Sequence, residues 1–139
     1  MARADKITQL AFQKESFSDF LDNFDIHPVN GAVGRIINEN AVRQSIKNII
    51  MTNLGERLFQ SRIGSDIYRS LFEPLDQVTA NIIVQAVKSS IKYNEPRAKV
   101  LEVGVFKTSD ENAVMVKIIF SLINKTDAST VEVVLKRVR

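Results

Sequence analysis

Asp19, Asp22, Asp25, Glu56, Asp66, Glu73, Asp76 and Glu95 spread carboxylates along the chain, and a pair of carboxylates at fixed separation can hydrolyse a glycosidic bond. One member of such a pair must be held protonated in an apolar pocket. Asp66 and Asp76 fall where helix N-termini are expected, and there negative charge is already favourable. Asp19, Asp22 and Asp25 recur every third residue, the pattern of a solvated face. Sequence spacing does not set such a separation, and Glu56 and Glu73 are the acids to test for it. His27 is the single histidine and the chain has no cysteine, so neither a histidine-rich metal site nor a thiolate site can be assembled. The glycines are isolated, which excludes a glycine-rich phosphate loop. No cofactor is expected.

Two short segments place an acid beside an arginine at a backbone constraint, Gly55-Glu56-Arg57 and Glu95-Pro96-Arg97. Pro96 lacks an amide hydrogen and pushes Glu95 out of the helical region, so the helix before it must stop. Arginine's planar fork takes a carboxylate with two parallel hydrogen bonds. Such pairs either bridge internally, as Glu56–Arg97 or Arg57–Glu95, or grip a helix of another chain. The residues alone leave both open.

The elements that must hold these groups follow from apolar spacing. Val42, Ile46, Ile49 and Ile50 repeat with a helical period after the caps offered by Asn38 or Asn40, and Gly55 suits the turn that follows. Ser65 is expected to cap a short helix over 66–71, with Ile67, Leu71 and Phe72 turned inward. Asp76 caps the longest helix, 77–93, with an inner stripe of Val78, Ile82, Ile83, Ala86, Val87 and Ile91. After Pro96 the period drops to two: Leu101, Val103, Val105; then Val114 to Leu122; then Val131, Val133, Leu135. Turn-rich segments at 109–112 and 124–127 separate the runs, which predicts a three-stranded antiparallel meander. Helices must cover its apolar face. The expected fold is α+β, helices on one face of a small C-terminal sheet. Residues 1–37 read as an arm and loop, and 38–139 as one domain.

The net charge is +3 and the pI near 9.3, but residues 1–30 balance to −2 and residues 113–139 to +3. Complementary patches on one chain suit protein–protein stacking. No basic run interleaved with aromatics supports a nucleic-acid groove, and no apolar run approaches the roughly 20 residues of a membrane span. The polar start is unlike a signal peptide, so synthesis in a cytoplasm is expected. The last strand carries Val131, Val133, Leu135 and Arg137; basic residues on an edge discourage uncontrolled pairing, while one specific strand can still add there.

The blocks Ala41-Val42-Arg43-Gln44-Ser45-Ile46, Thr52-Asn53-Leu54-Gly55-Glu56-Arg57, Ile63-Gly64-Ser65, Leu71-Phe72-Glu73-Pro74 and Glu95-Pro96-Arg97, with Phe59 between the second and third, come in an order and spacing that resembles the small baseplate wedge family of contractile phage tails. Type VI secretion baseplates share this family, often labelled "lysozyme-like". The likeness spans roughly residues 17–139; Ser61 and Ala32 depart from a proline and an acid common in relatives. It implies a small α+β fold and a non-enzymatic, structural role in a virion tail baseplate assembled in the host cytoplasm. By resemblance, Glu95, Pro96 and Arg97 dock on the helical core bundle of other wedge proteins, with Glu56, Arg57, Phe72 and Glu73 as supporting contacts. It also implies that the sheet templates the first ring of tail sheath protein by strand augmentation; no individual contact carries over there, and Val131, Val133, Leu135 and Arg137 are candidate sheath-facing positions from the reading of the last strand alone. Nucleic acid, membrane and small-molecule partners are not expected. The family label keeps a peptidoglycan-cleaving lysozyme as the alternative.

Overall fold

The computed structural model describes residues 17–26, 28–29, 31–110, 113–123 and 125–137. His27, Asn30, residues 1–16, 111, 112 and 124, and the last two residues lie outside that description.

Strands β1 (Ser18–Phe20) and β2 (Arg35–Ile37) pair antiparallel as a small ribbon ahead of the first helix. Helix α1 (Asn38–Met51) begins at a residue with φ +51°, a backbone region asparagine tolerates better than most. The Asn38 amide donates to Phe17 O at 2.7 Å and its Oδ1 accepts from Phe17 N at 3.4 Å. The residue expected to cap α1 therefore sits inside it, buried, as a two-way tie to the ribbon. The expected stripe Val42, Ile46, Ile49 and Ile50 is buried.

The segment after α1 folds back on itself. Ser65 is fully buried; its Oγ donates to Ile50 O at 2.9 Å and its amide to Thr52 O at 2.9 Å. Closing this loop, rather than capping the next helix, is what Ser65 does. A Cβ on Gly64 (φ +134°) would come within 2.6 Å of Thr52 O, so only glycine lets the two backbones meet. Helix α2 is one turn, Ile67–Ser70; Ile67 and Leu71 are buried, but Phe72 is exposed, against expectation.

Helix α3 (Gln77–Asn94) starts where Asp76 accepts from the Thr79 amide at 2.7 Å, as the sequence predicts. Its core ridge is Thr79, Ile83, Val87, Ile91, an unbroken i+4 row. Val78 (65% exposed) and Ile82 (48%) lie outside it. The predicted stripe was too wide on that side, while Ala86 packs against the core as expected.

Strands β3 (Ala98–Lys107), β4 (Ala113–Leu122) and β5 (Ala128–Lys136) form an antiparallel sheet in the order β3-β4-β5. Helices cover one face, so the fold is α+β as expected. The register slips between Val100 and Glu102. That bulge turns Leu101 out to solvent, while Val100 packs on the core and Val103 is buried in it. Val116, Ile118, Phe120 and Leu122 of β4, with Val131, Val133 and Leu135 of β5, complete the buried layer.

Candidate functional site

The end of α3 turns its charges inward. The Glu95 amide still donates to Ile91 O at 2.8 Å, Pro96 blocks another turn, and the Arg97 carbonyl accepts from the Ile123 amide at 3.0 Å. These bonds aim both side chains at each other. Arg97 Nε donates to Glu95 Oε1 at 2.6 Å and Nη2 to Oε2 at 2.7 Å. The Glu95 side chain is 2% exposed and that of Arg97 29%. Burial pushes the Glu95 carboxyl up, yet hydrogen bonds from Arg97 and Ser45 and the guanidinium charge outweigh it and hold the group below its usual range. The same carboxylate raises Arg97, helped by Asp19.

The guanidinium also lies over the Phe17 ring, 5.5 Å from its centroid. One charged pair thus joins the α3–β3 corner, α1 through Ser45, and the ribbon through Phe17. The bridge is internal, but it runs within the elbow rather than to Glu56 or Arg57. Glu56 accepts from the Asn53 amide at 2.8 Å. Arg57 lines a hollow of about 520 Å³ together with Asp19, Asp22, Ser45 and Phe24.

The Leu71-Phe72-Glu73 segment belongs to the other end of the molecule. Eighteen residues of α3 separate it from the elbow, roughly 27 Å at 1.5 Å per residue. There Arg137, just past β5, donates from Nε to Leu71 O at 2.8 Å and also from Nη2, and its guanidinium sits 5.5 Å from the Phe72 ring centroid. Arg137 is therefore a clasp on the α2 turn and does not line an open edge.

Val131, Val133 and Leu135 are buried under the helices, so β5 presents backbone, not these side chains, at its edge. Beside that edge runs a groove of about 380 Å³, walled by Asn40, Arg43, Gln44 and Lys47 of α1 and by Thr130, Val131 and Glu132. Helical spacing puts the four α1 residues on one stripe. Glu132 pairs with Lys117 at 3.3 Å and Asp22 accepts from Asn48 at 2.7 Å. Arg43 reaches Glu39 at 2.5 Å through Nη2, but its buried Nε has no acceptor, and Lys47 has no ion-pair partner among the described residues.

Glu56 and Glu73 do not share a cavity: Glu73 lines a 170 Å³ hollow beside Arg137, far from the Arg57 side. Among the described residues no cluster of metal-ligating side chains occurs, and no helix is long and apolar enough to cross a membrane. Phe17, Ser45, Arg43 and Lys47 are the site residues that sequence reasoning passed over. The signal for two of them was there, because Arg43 and Ser45 fall in the Ala41–Ile46 block.

The geometry defines a small α+β domain whose buried charges tie its parts together and whose sheet keeps backbone edges, the build of an assembly subunit. Residues 38–127 match the family described as baseplate wedge protein gp25. The chain is 32% identical over 98 residues to the baseplate wedge protein gp25 of Enterobacteria phage T4, covering 70% of this chain and 74% of that one. It belongs to the baseplate wedge protein family. Solved structures share the fold. A Geobacter sulfurreducens protein provisionally described as a tail lysozyme has a TM-score of 0.67 at 22% identity, covering 73% of this chain and 92% of that one. A chain of the anti-feeding prophage baseplate has 0.62 at 20%, covering 88% and 87%. One from the postcontracted pyocin R2 baseplate has 0.51 at 18%, covering 81% and 96%.

Proposed function

We propose that this chain is a non-enzymatic subunit of a contractile-tail baseplate, assembled in the host cytoplasm, that docks on the helical core bundle of neighbouring wedge proteins and offers β5 to an arm of the tail sheath protein. Residues 1–37 serve as an arm and 38–139 as the domain. Family membership supports the baseplate role. The observation that carries the sheath role is the position of β5: β4 is its one strand partner among the described residues, while Val131, Val133 and Leu135 anchor it in the core. An incoming strand meets a backbone edge that is already ordered, and gains main-chain hydrogen bonds without ordering it first.

Docking on the wedge bundle uses the elbow, narrowed to what is accessible. Pro96 and the exposed part of Arg97 form the contact, with Arg57 as a supporting contact, while the enclosed Glu95 sets the position of Arg97. Glu56 shapes the Arg57 loop. Phe72 and Glu73, at the far end of α3, make a separate contact.

Deleting residues 130–139 would strip three core side chains, so proline substitution is the cleaner test. Proline scanned over Thr130 to Val134 removes one backbone donor at a time, and variants that stay folded by circular dichroism are those whose amide faces the free edge. Those variants are expected to enter baseplates yet fail to start sheath, read by electron microscopy. Normal sheath on such baseplates would end the sheath reading. Cell-wall clearing by the purified protein, lost on Glu73→Gln, would instead favour the lysozyme alternative.

A further inference from the structure

We propose that the β1–β2 ribbon is a strap that opens from α1 as a unit while the rest of the domain stays folded: Asn38 is its hinge, Gln44 and Asn48 are its catch, and Phe17 is its peg at the elbow. The ribbon is amphipathic the wrong way round for permanent packing. Every residue of β1 is exposed, and in β2 Ile36 alone is partly covered. Phe20, Phe24, Ile26 and Val33 show apolar side chains to solvent. The ties to the middle of α1 are polar. Gln44 Nε2 donates to Phe20 O at 2.8 Å and Asn48 Nδ2 donates to Asp22 Oδ1 at 2.7 Å, from positions one helical turn apart. Hydrogen bonds that water can replace hold an element less firmly than buried apolar side chains, each by about a factor of five in population.

The ends of the ribbon are held differently. Asn38, at φ +51°, already makes the bend between β2 and α1. Phe17, just ahead of β1, packs on the core and lies under the Arg97 guanidinium. Ala41 is fully buried on the α1 stripe of Asn38, Ser45 and Asn48, away from the Val42, Ile46 and Ile50 side that meets the core, and the ribbon packs there. Opening uncovers that stripe. Once off α1, two strands alone are marginal in water, so release also melts the pairing and frees its amides. The Leu21 amide, which donates to Gly34 O at 3.0 Å, and the Gly34 amide, which donates to Asp25 O at 2.7 Å, report the event. An element so held changes partners without unfolding the domain, which suits a subunit built into a baseplate.

The test is amide hydrogen exchange of the full chain, followed by NMR at rising urea. The Leu21 and Gly34 amides are expected to be protected, yet to exchange at least about a hundredfold faster than those of Val116 and Ile118, at a rate urea barely changes because little surface opens. Gln44→Ala/Asn48→Ala should speed both ribbon amides about twentyfold, two hydrogen bonds' worth. Phe17→Leu, which keeps bulk and loses the ring face, should speed them about threefold. Ile118→Val is the discriminating variant. It weakens the core in the closed and the open state alike, so β4 amides should exchange about fivefold faster while Leu21 and Gly34 keep their rates. Ribbon amides that follow β4 in Ile118→Val, or share its urea dependence, would show that the ribbon unfolds only with the domain and overturn the strap. Ribbon amides without protection would overturn it as well, because nothing would then be latched. Exchange indifferent to Gln44→Ala/Asn48→Ala would overturn the catch.

Discussion

Arg97 closes its guanidinium on the carboxylate of Glu95, two residues back, with both oxygens engaged at 2.6 and 2.7 Å and the acid all but removed from solvent. Taking a carboxylate out of water is tolerated only while its cation stays in place. Arg97→Ala is therefore expected to cost about 3 kcal/mol, the lower end for a broken buried pair. Arg97→Glu, which sets two acids face to face, should cost more and threaten folding. The denaturation midpoint in urea, with circular dichroism to check the fold, measures both. Arg97→Ala at wild-type stability would show that the pair is incidental to the fold.

The same pair sets an acid limit. Folding lowers the Glu95 pKa below its 4.5 reference, so its ionised form is favoured in the native state. Its contribution is full above the unfolded value and is lost as pH falls through the native one. Stability of the wild type should therefore fall more steeply below about pH 4.5 than that of Glu95→Gln, which has lost the charge at every pH. Urea unfolding repeated from neutral to strongly acid pH compares the two slopes. Parallel slopes would contradict the shift.

Phe59 adopts φ +65° at the tip of the 52–65 loop with its ring fully exposed. Left-handed backbone costs a bulky residue roughly 1–2 kcal/mol, and no burial of the ring offsets it. Phe59→Asn should raise stability by about 1 kcal/mol, visible as a higher Tm. If the ring meets a baseplate neighbour, the stabilised variant will assemble less well. A lower Tm would mean the ring supports the fold.

The meander and both long helices were legible because apolar period and end signals agreed: Asp76 opens α3, Pro96 closes it, and the period changes from 3.6 to two across that proline. What escaped were orientations that depend on other elements. Glu95 and Arg97 could bridge internally or grip a partner as far as their own spacing says, and nothing local says that Ser45 and Phe17 wait on the elbow's inner side. Leu101 fitted the alternation until a bulge inserted it. Val78 and Ile82 fitted the helical period, yet the buried row is the i+4 series that Thr79 heads with Ile83, Val87 and Ile91. Arg137 and Leu71 are 66 positions apart, and no spacing rule reaches so far.

That last pair makes its own prediction. Arg137 Nε and Nη2 both donate to the Leu71 carbonyl, and its guanidinium covers Phe72, so the end of β5 holds the turn after α2. The last carbonyls of a helix lack intrahelical donors, and a charged donor here replaces them. Arg137→Ala should cost about 1.5 kcal/mol, the lower range for a hydrogen bond to a charged group. The loss should be local as well as global. Amides of Phe72 and Glu73, which donate to Arg69 O and Ser70 O, should exchange faster, while those of α1 and β4 change only by the global amount. Arg137→Lys, a single point charge without the fork, should recover part of the protection. If exchange at Phe72 and Glu73 is unchanged in Arg137→Ala, the turn is held by Leu71 burial alone and the clasp has no energetic role.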